Sequence, residues 1–167
     1  MSNKPYRVAI ITVSDKGSRG EREDASGKLV GEIMEANGYT VTGYTILPDE
    51  QPLLEKELRQ LCDKGLADLV LTTGGTGFSP RDLTPEATMA VAERLVPGIP
   101  EAMRMQSMVV TKRAMLSRAV AAIRGKTLIV NLPGSPRAVR ENLEFIVSEL
   151  GHGLDILASN ARECGSG

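Results

Sequence analysis

The sequence predicts a three-layer α/β/α fold whose sheet is mostly parallel with one antiparallel strand. Three observations predict it. Short β-branched apolar runs alternate with amphipathic helical stretches, the pattern of a parallel sheet covered on both faces. The runs end in polar or Gly-rich loops. Late in the chain two extended runs meet at Gly125-Lys126, a spacing that reads as a hairpin. The 167 residues suit one domain with a sizeable core. We expect a single domain over 1–167 with its core over about 6–158.

The elements follow in order. Residues 7–13 (RVAIITV) read as a buried strand, and SDKGSRGERED after them as a loop. The next helix places Leu29, Val30, Ile33 and Met34 on one face and stops at Asn37-Gly38. Residues 40–47 are a second strand, followed by the turn Pro48-Asp49-Glu50. A helix then carries Leu54, Leu58, Leu61 and Cys62 on one face. Residues 68–73 (DLVLTT) are a third strand, closed by GGTGFSPRDLTP. A helix is expected to open with Thr84 as N-cap and Pro85 at its first position, and to end at Pro97-Gly98. A further helix covers PEAMRMQSMVV. Runs 118–124 and 127–132 form the hairpin. The last helix opens at Ser135-Pro136, with Val139, Leu143, Ile146, Val147 and Leu150 as its apolar stripe.

Composition excludes several functions. The formal net charge of −1 supplies no field toward nucleic acid or an anionic membrane. Aromatic residues are 3% of the chain with no Trp, too few for base-stacking platforms. No stretch reaches the length of a membrane span, and the start MSNKPYR carries no signal-peptide pattern. Cys62 and Cys164 form no CxxC pair. A reducing, cytoplasmic setting is therefore expected, with Cys62 in the core and Cys164 in a ragged tail.

Ligands of such sheets bind beyond the carboxyl ends of the strands. The strongest feature there is Thr73-Gly74-Gly75-Thr76-Gly77. Glycines in this position can present backbone N–H groups to an anion, or can simply serve a tight turn that needs positive φ. The segment is neither a Walker A motif nor a GxGxxG fingerprint. Asp49 and Asp82 also fall at this edge. Together they would hold Mg²⁺ against phosphates; individually they would serve as a helix cap and an Asx-turn. Asp15 lies in the loop after the first strand. Ser135 is expected as an N-cap. Arg137 and Arg140 oppose the helix dipole unless an anion binds there, though Glu141 and Glu144 at i+4 offer each a partner. Glu101 and Arg104 are one turn apart and can reach a ligand or each other. His152 is the only histidine, and no metal cluster or nucleophilic triad can be built around it.

The segments TVSDKGSRGEREDASG (12–27), PDE (48–50), LTTGGTGFSPRDLTPEAT (71–88), PGIPEAMR (97–104), AMLSRA (114–119) and NLPGSP (131–136) occur in this order. They resemble the molybdopterin adenylyltransferase family, the MogA/MoaB group that also includes the G domain of gephyrin. The resemblance spans nearly the whole chain. It implies a homotrimer of α/β subunits. It implies transfer of AMP from ATP to the molybdopterin phosphate with release of pyrophosphate, in the presence of Mg²⁺, within molybdenum cofactor biosynthesis. The protein that inserts molybdenum would be a further partner. Carried over position by position, the resemblance implies catalytic and metal-holding roles for Asp49 and Asp82. It implies nucleotide contact for Thr73, Gly74, Gly75, Thr76, Gly77 and Glu101. It implies molybdopterin contact for Ser14, Asp15, Ser117, Gly134, Ser135 and Arg137. A non-catalytic MoaB-type molybdopterin-binding or carrier protein on the same scaffold is the alternative it leaves open.

Overall fold

The computed structural model describes residues 4–163, with side chains to residue 159; Cys164 lies outside the described residues. The elements in chain order are β1 (Arg7–Val13), α1 (Asp15–Ser18), α2 (Ala25–Ala36), β2 (Thr40–Leu47), α3 (Gln51–Asp63), β3 (Leu69–Thr73), α4 (Thr84–Val91), β4 (Arg94–Leu95), α5 (Gly98–Met108), a 3₁₀ turn (Lys112–Leu116), β5 (Ala121–Arg124), β6 (Thr127–Leu132) and α6 (Pro136–Glu163). They build one six-stranded sheet in the order β2-β1-β3-β6-β5-β4. Strands β2, β1, β3 and β6 are mutually parallel. Strand β5 runs antiparallel to β6 and to β4, so it is the one reversed strand, as the hairpin spacing predicts.

Strand alternation sorts the core into two layers. Val8, Ile10, Leu69, Leu71, Leu128, Val130 and Leu132 face α2, α5 and α6. Ala9, Ile11, Val13, Val70 and Ile129 face α3 and α4. The periodic residues of each helix complete these layers: Val30, Ile33 and Met34 from α2, Leu54, Leu58 and Leu61 from α3, and Val139, Leu143 and Leu150 from α6. Cys62 is buried among the second set. No helix among the described residues is long and apolar enough to cross a membrane.

The structure departs from the expected elements in four places. The loop after β1 contains the short helix α1, capped by Ser14, whose Oγ accepts the Gly17 N–H at 3.0 Å. Helix α4 stops at Val91 instead of running to Pro97-Gly98, because Arg94 and Leu95 pair with Ile123 and Ala122. An unpaired edge of β5 outweighs the local helical pattern, a long-range preference that no window of sequence displays. Residues 118–120 leave the expected strand: the Arg118 N–H donates to Thr76 O at 3.0 Å and the Val120 N–H to Asn131 Oδ1 at 3.1 Å. Finally, Leu83 occupies the N-cap of α4, with Thr84 at its first position. The Thr84 hydroxyl donates to the Gly74 carbonyl at 2.9 Å, so it ties the helix to the glycine loop and caps nothing.

Asn131 is fully buried in β6. Its amide donates to Thr72 Oγ1 at 3.0 Å and to Thr88 Oγ1 at 2.9 Å, while Thr88 donates to Thr84 O. This polar strut joins β3, β6 and α4 beneath the loop they support. Asn131→Leu would orphan the Val120 N–H, at a cost of roughly 1–3 kcal/mol for each buried group left unpaired. Chemical denaturation is expected to report a loss in that range; unchanged stability would show that the strut contributes nothing.

Candidate active site

Strands β1 and β3 are neighbours, yet the chain leaves them toward opposite faces. β1 feeds α2, and β3 feeds α4 on the other side. That divergence opens a crevice at the carboxyl edge. A cleft of about 540 Å³ occupies it, lined by Thr12, Ser14, Asp24, Asp49, Thr73, Gly74, Gly75, Asp82, Gly134 and Ser135 among others.

The glycine loop forms the floor. Gly74 and Gly75 take φ of +97° and +67°, the left-handed region that glycine alone adopts readily. Space demands glycine as well. A Cβ on Gly74 would lie 2.4 Å from the Val13 carbonyl oxygen, and one on Gly75 would lie 2.3 Å from Thr84 Oγ1. Gly77 makes room for a carboxylate, since a Cβ there would sit 2.8 Å from Asp82 Oδ2. The Gly74 N–H donates to Leu132 O at 3.3 Å, so that amide is committed to the sheet. The tight-turn reading of these glycines therefore holds whether or not an anion binds.

Asp49 and Asp15 clasp each other across the ends of β1 and β2. The Asp15 N–H donates to Asp49 Oδ2 at 2.8 Å, and the Asp49 N–H donates to Asp15 Oδ1 at 3.0 Å. Arg81 adds a bidentate pair to Asp15 at 2.5 and 2.8 Å. The two carboxyls are pushed in opposite directions. The Arg81 guanidinium, then the Asp49 N–H, hold Asp15 down to about 2. Burial first, then the charges of Asp15 and Asp82, push Asp49 up, against the opposing hydrogen bond from Asp15. Asp49 does not cap α3, whose N-cap Glu50 makes no side-chain cap bond. Asp82 makes no Asx-turn bond to the residues after it; its carboxylate accepts the Ser79 N–H, three residues back, at 2.9 Å, and it lines the cleft.

Among the described residues no group of three or more His, Cys, Asp or Glu is placed to hold a metal. Two carboxylates on an open cleft are nonetheless a donor set that suits Mg²⁺, which keeps waters and substrate phosphate oxygens as its other ligands.

A second cleft of about 320 Å³ lies on the far side of the same loop. Thr76, Gly77, Arg104, Ser107, Ser117 and Asn142 are among its lining residues. Arg104 does not pair with Glu101; its guanidinium donates to the Ser117 and Ala119 carbonyls at 3.2 Å each. Thus Thr73, Gly74 and Gly75 face one cleft, and Thr76 and Gly77 the other.

The remaining expected residues divide. Ser14, Gly134 and Ser135 line the first cleft. Ser135 also caps α6, accepting the Ala138 N–H at 3.2 Å. Arg137 is exposed and paired with Glu141 at 2.9 Å, and Arg140 with Glu144 at 2.8 Å. Glu101 is exposed in the first turn of α5 and lines neither cleft.

Comparison with known proteins shows the family of the chain. A family model described as "Probable molybdopterin binding domain" matches residues 9–152. The molybdopterin adenylyltransferase of Helicobacter pylori strain J99 is 42% identical over 157 residues, covering 92% of this chain and 88% of that one. The chain belongs to the molybdopterin adenylyltransferase family. Among solved structures, the molybdopterin biosynthesis enzyme MoaB of Thermus thermophilus is 47% identical with a TM-score of 0.87, covering 92% of this chain and 97% of that chain. The tungsten cofactor synthesizing protein MoaB of Pyrococcus furiosus is 37% identical with a TM-score of 0.84, covering 93% and 99%.

Sequence reasoning missed several residues at the first cleft. Asp24 accepts hydrogen bonds from Thr12 at 2.6 Å, from Tyr44, and from the Gly27 N–H at 2.9 Å. Burial, then Asp24, push the Tyr44 hydroxyl up to about 12. Ser26 ties α2 to the loop after β6, donating to Gly134 O at 2.7 Å. An Asp just before a helical pattern is a cap signal, which would have found Asp24 but not its partners.

Two stability outcomes follow. Gly74→Ala is expected to cost more than Gly65→Ala, whose site has φ +60° and nothing within 4 Å. The second should cost about 1–2 kcal/mol, the ordinary left-handed penalty; equal losses by denaturant titration would refute the steric argument. For Asp49, the fold favours the protonated form. Its ionisation therefore costs stability once pH rises above the ordinary carboxylate range. Asp49→Asn keeps an acceptor for Asp15 and removes that charge. Thermal unfolding at neutral pH should show the variant melting higher, with the gain shrinking as pH falls through the Asp49 pKa and below the ordinary one. A lower melting temperature at neutral pH would contradict the assignment.

Proposed function

We propose that this chain is a molybdopterin adenylyltransferase, transferring AMP from ATP to the terminal phosphate of molybdopterin with release of pyrophosphate. The observation that carries the reading is the convergence of Asp49, Asp82 and the glycine loop on one cleft, in a chain 42% identical to a protein of that name. The same identity favours it over a non-catalytic carrier. In this reading the molybdopterin phosphate attacks the α-phosphorus, and the bond from that phosphorus to the bridging oxygen of pyrophosphate breaks. The attacking group belongs to the substrate, so the protein needs no nucleophile of its own. Its task is to align two anions that repel each other.

Asp49 and Asp82 would hold Mg²⁺, which when bound offsets charge on the triphosphate and on the departing pyrophosphate. Asp15 keeps Asp49 oriented through the paired backbone bonds, and Arg81 holds Asp15. The loop Thr73–Gly77 lies between the clefts, which supports seating the nucleotide and the pterin on its two sides. On the pterin's side Ser117 supplies polar surface in the second cleft, whereas Ser14, Gly134 and Ser135 line the nucleotide's cleft and would meet the pterin only where its phosphate reaches across the loop. Arg137 and Glu101 stand further out and would act only through a longer reach of the ligands.

Purified protein with ATP, Mg²⁺ and molybdopterin is expected to release pyrophosphate and form adenylylated molybdopterin. Asp82→Asn should lower kcat by about 10²-fold or more, the loss typical for removing an electrostatic group at a reacting centre, with an unchanged melting temperature. A wild-type rate in that variant would remove Asp82 from the mechanism. Pterin binding with no nucleotide binding by calorimetry would establish the carrier instead.

A homotrimer belongs to the same reading. The exposed apolar side chains Leu95, Val109, Val110 and Met115 support burial against other copies. Sedimentation should give three times the chain mass; a monomer at micromolar concentration would refute it.

A further inference from the structure

Residues 78–81 form an exposed excursion, and Asp82 stands at its foot. One guanidinium closes both ends of it. Arg118 Nε donates to Gly77 O at 2.7 Å, and Nη2 donates to Asp82 O at 2.6 Å. The Arg118 N–H takes the next carbonyl back, Thr76 O, at 3.0 Å. The remaining face of the guanidinium is held by the Glu86 carboxylate from the first turn of α4. On the other side, Arg104 grips the carbonyls of Ser117 and Ala119. Arg118 itself lines neither cleft, while its neighbour Ser117 lines the second and Asp82 the first.

We propose that Arg118 is a positioning residue that locks Asp82 on one side of the glycine loop to Ser117 on the other, fixing the separation at which the two substrates meet. The inference rests on the adenylyltransferase reading. The geometry requires arginine in particular. Two carbonyls and a carboxylate lie around one planar group, and a guanidinium donates to all three in its own plane. A lysine ammonium is a point donor on a flexible stem and cannot hold the same three at fixed angles. Without the guanidinium, the foot of the excursion keeps the Asp82–Ser79 turn, the Thr84 bonds to Gly74 O and Gly75 O and the Arg118 N–H to Thr76 O, but no single group any longer ties the Gly77 carbonyl to the Asp82 carbonyl. Asp82 can then shift by an amount that matters for in-line transfer, where an error of about 1 Å costs about 10²-fold in rate.

The test compares Arg118→Ala, Arg118→Lys and Glu86→Gln with wild-type protein. The readouts are adenylyl transfer, calorimetric binding of ATP and of molybdopterin separately, and thermal unfolding. Arg118→Ala is expected to lower kcat by about 10²-fold while both KM values and both calorimetric affinities stay unchanged, the signature of a contact that matters only at the transition state. Arg118→Lys should fall between, and Glu86→Gln should lose less than either. Added guanidinium ion at non-denaturing concentration should restore part of the Arg118→Ala rate. If Arg118→Ala does not fold, Arg118→Lys and Glu86→Gln carry the test. Wild-type kcat in both of these would overturn the proposal. So would weakened binding of both substrates with kcat unchanged, which would make Arg118 a plain structural support. Wild-type protein that makes no adenylylated molybdopterin would overturn the functional reading and this inference with it, whereas active wild type beside unaffected variants overturns Arg118 alone.

Discussion

At the carboxyl ends of β1, β3 and β6, three backbone segments meet around Gly74. Its Cα would lie 3.5 Å from a Cβ placed on Gly134, and its own absent Cβ would sit 2.4 Å from the Val13 carbonyl oxygen. The crevice exists because the chain leaves β1 and β3 in opposite directions, and it stays narrow because nothing at Gly74 props those ends apart. Thr84 then bonds the Gly74 carbonyl, which ties the start of α4 to the same point. Thr73 bonds Pro133 O at 2.7 Å from below, and Asn131 braces β3 and α4 beneath it. The ends of β1, β3 and β6 and the start of α4 are thus held together at the floor of the first cleft.

Electrostatics at the rim are built as a matched set. Asp15 is already satisfied by Arg81 and by the Asp49 N–H, so its charge is stabilised and contributes to the fold until pH falls toward 2. Asp49 is the reverse case. Burial and the charges of Asp15 and Asp82 outweigh the Asp15 N–H and the Arg81 charge, so ionising it costs stability once pH rises above the ordinary carboxylate range. A bound cation would relieve that cost, so the charge balance at Asp49 suits a cation-holding site. Proteins commonly trade stability for function in this way.

The layer pattern was legible in the sequence because it is local. β-branched runs and helical stripes mark β1, β2, β3, β6, α2, α3 and α6, and the two-residue Gly125-Lys126 turn marks the reversed β5. The strand β4 was not legible, because its two residues pair only after β5 presents an edge to them. The same distinction divides the candidate site. Asp49, Asp82 and the glycines stand out by type and by position after strands. Arg118 does not: its guanidinium acts across 36 to 41 residues, on the Asp82 and Gly77 carbonyls, and carbonyls leave no trace in a side-chain pattern. The local pairs of Arg137 and Arg140 were readable at i+4, and they form.

The central claim is that Asp49 and Asp82 act together on a nucleotide seated at the Gly74–Gly75 turn. A crystal structure with Mg²⁺ and a non-hydrolysable ATP analogue tests it most directly. The account predicts triphosphate density in the cleft between the ends of β1 and β3, with a metal ion within ligand distance of both carboxylates. Nucleotide bound in another part of the molecule, or a metal that touches neither aspartate, would contradict it.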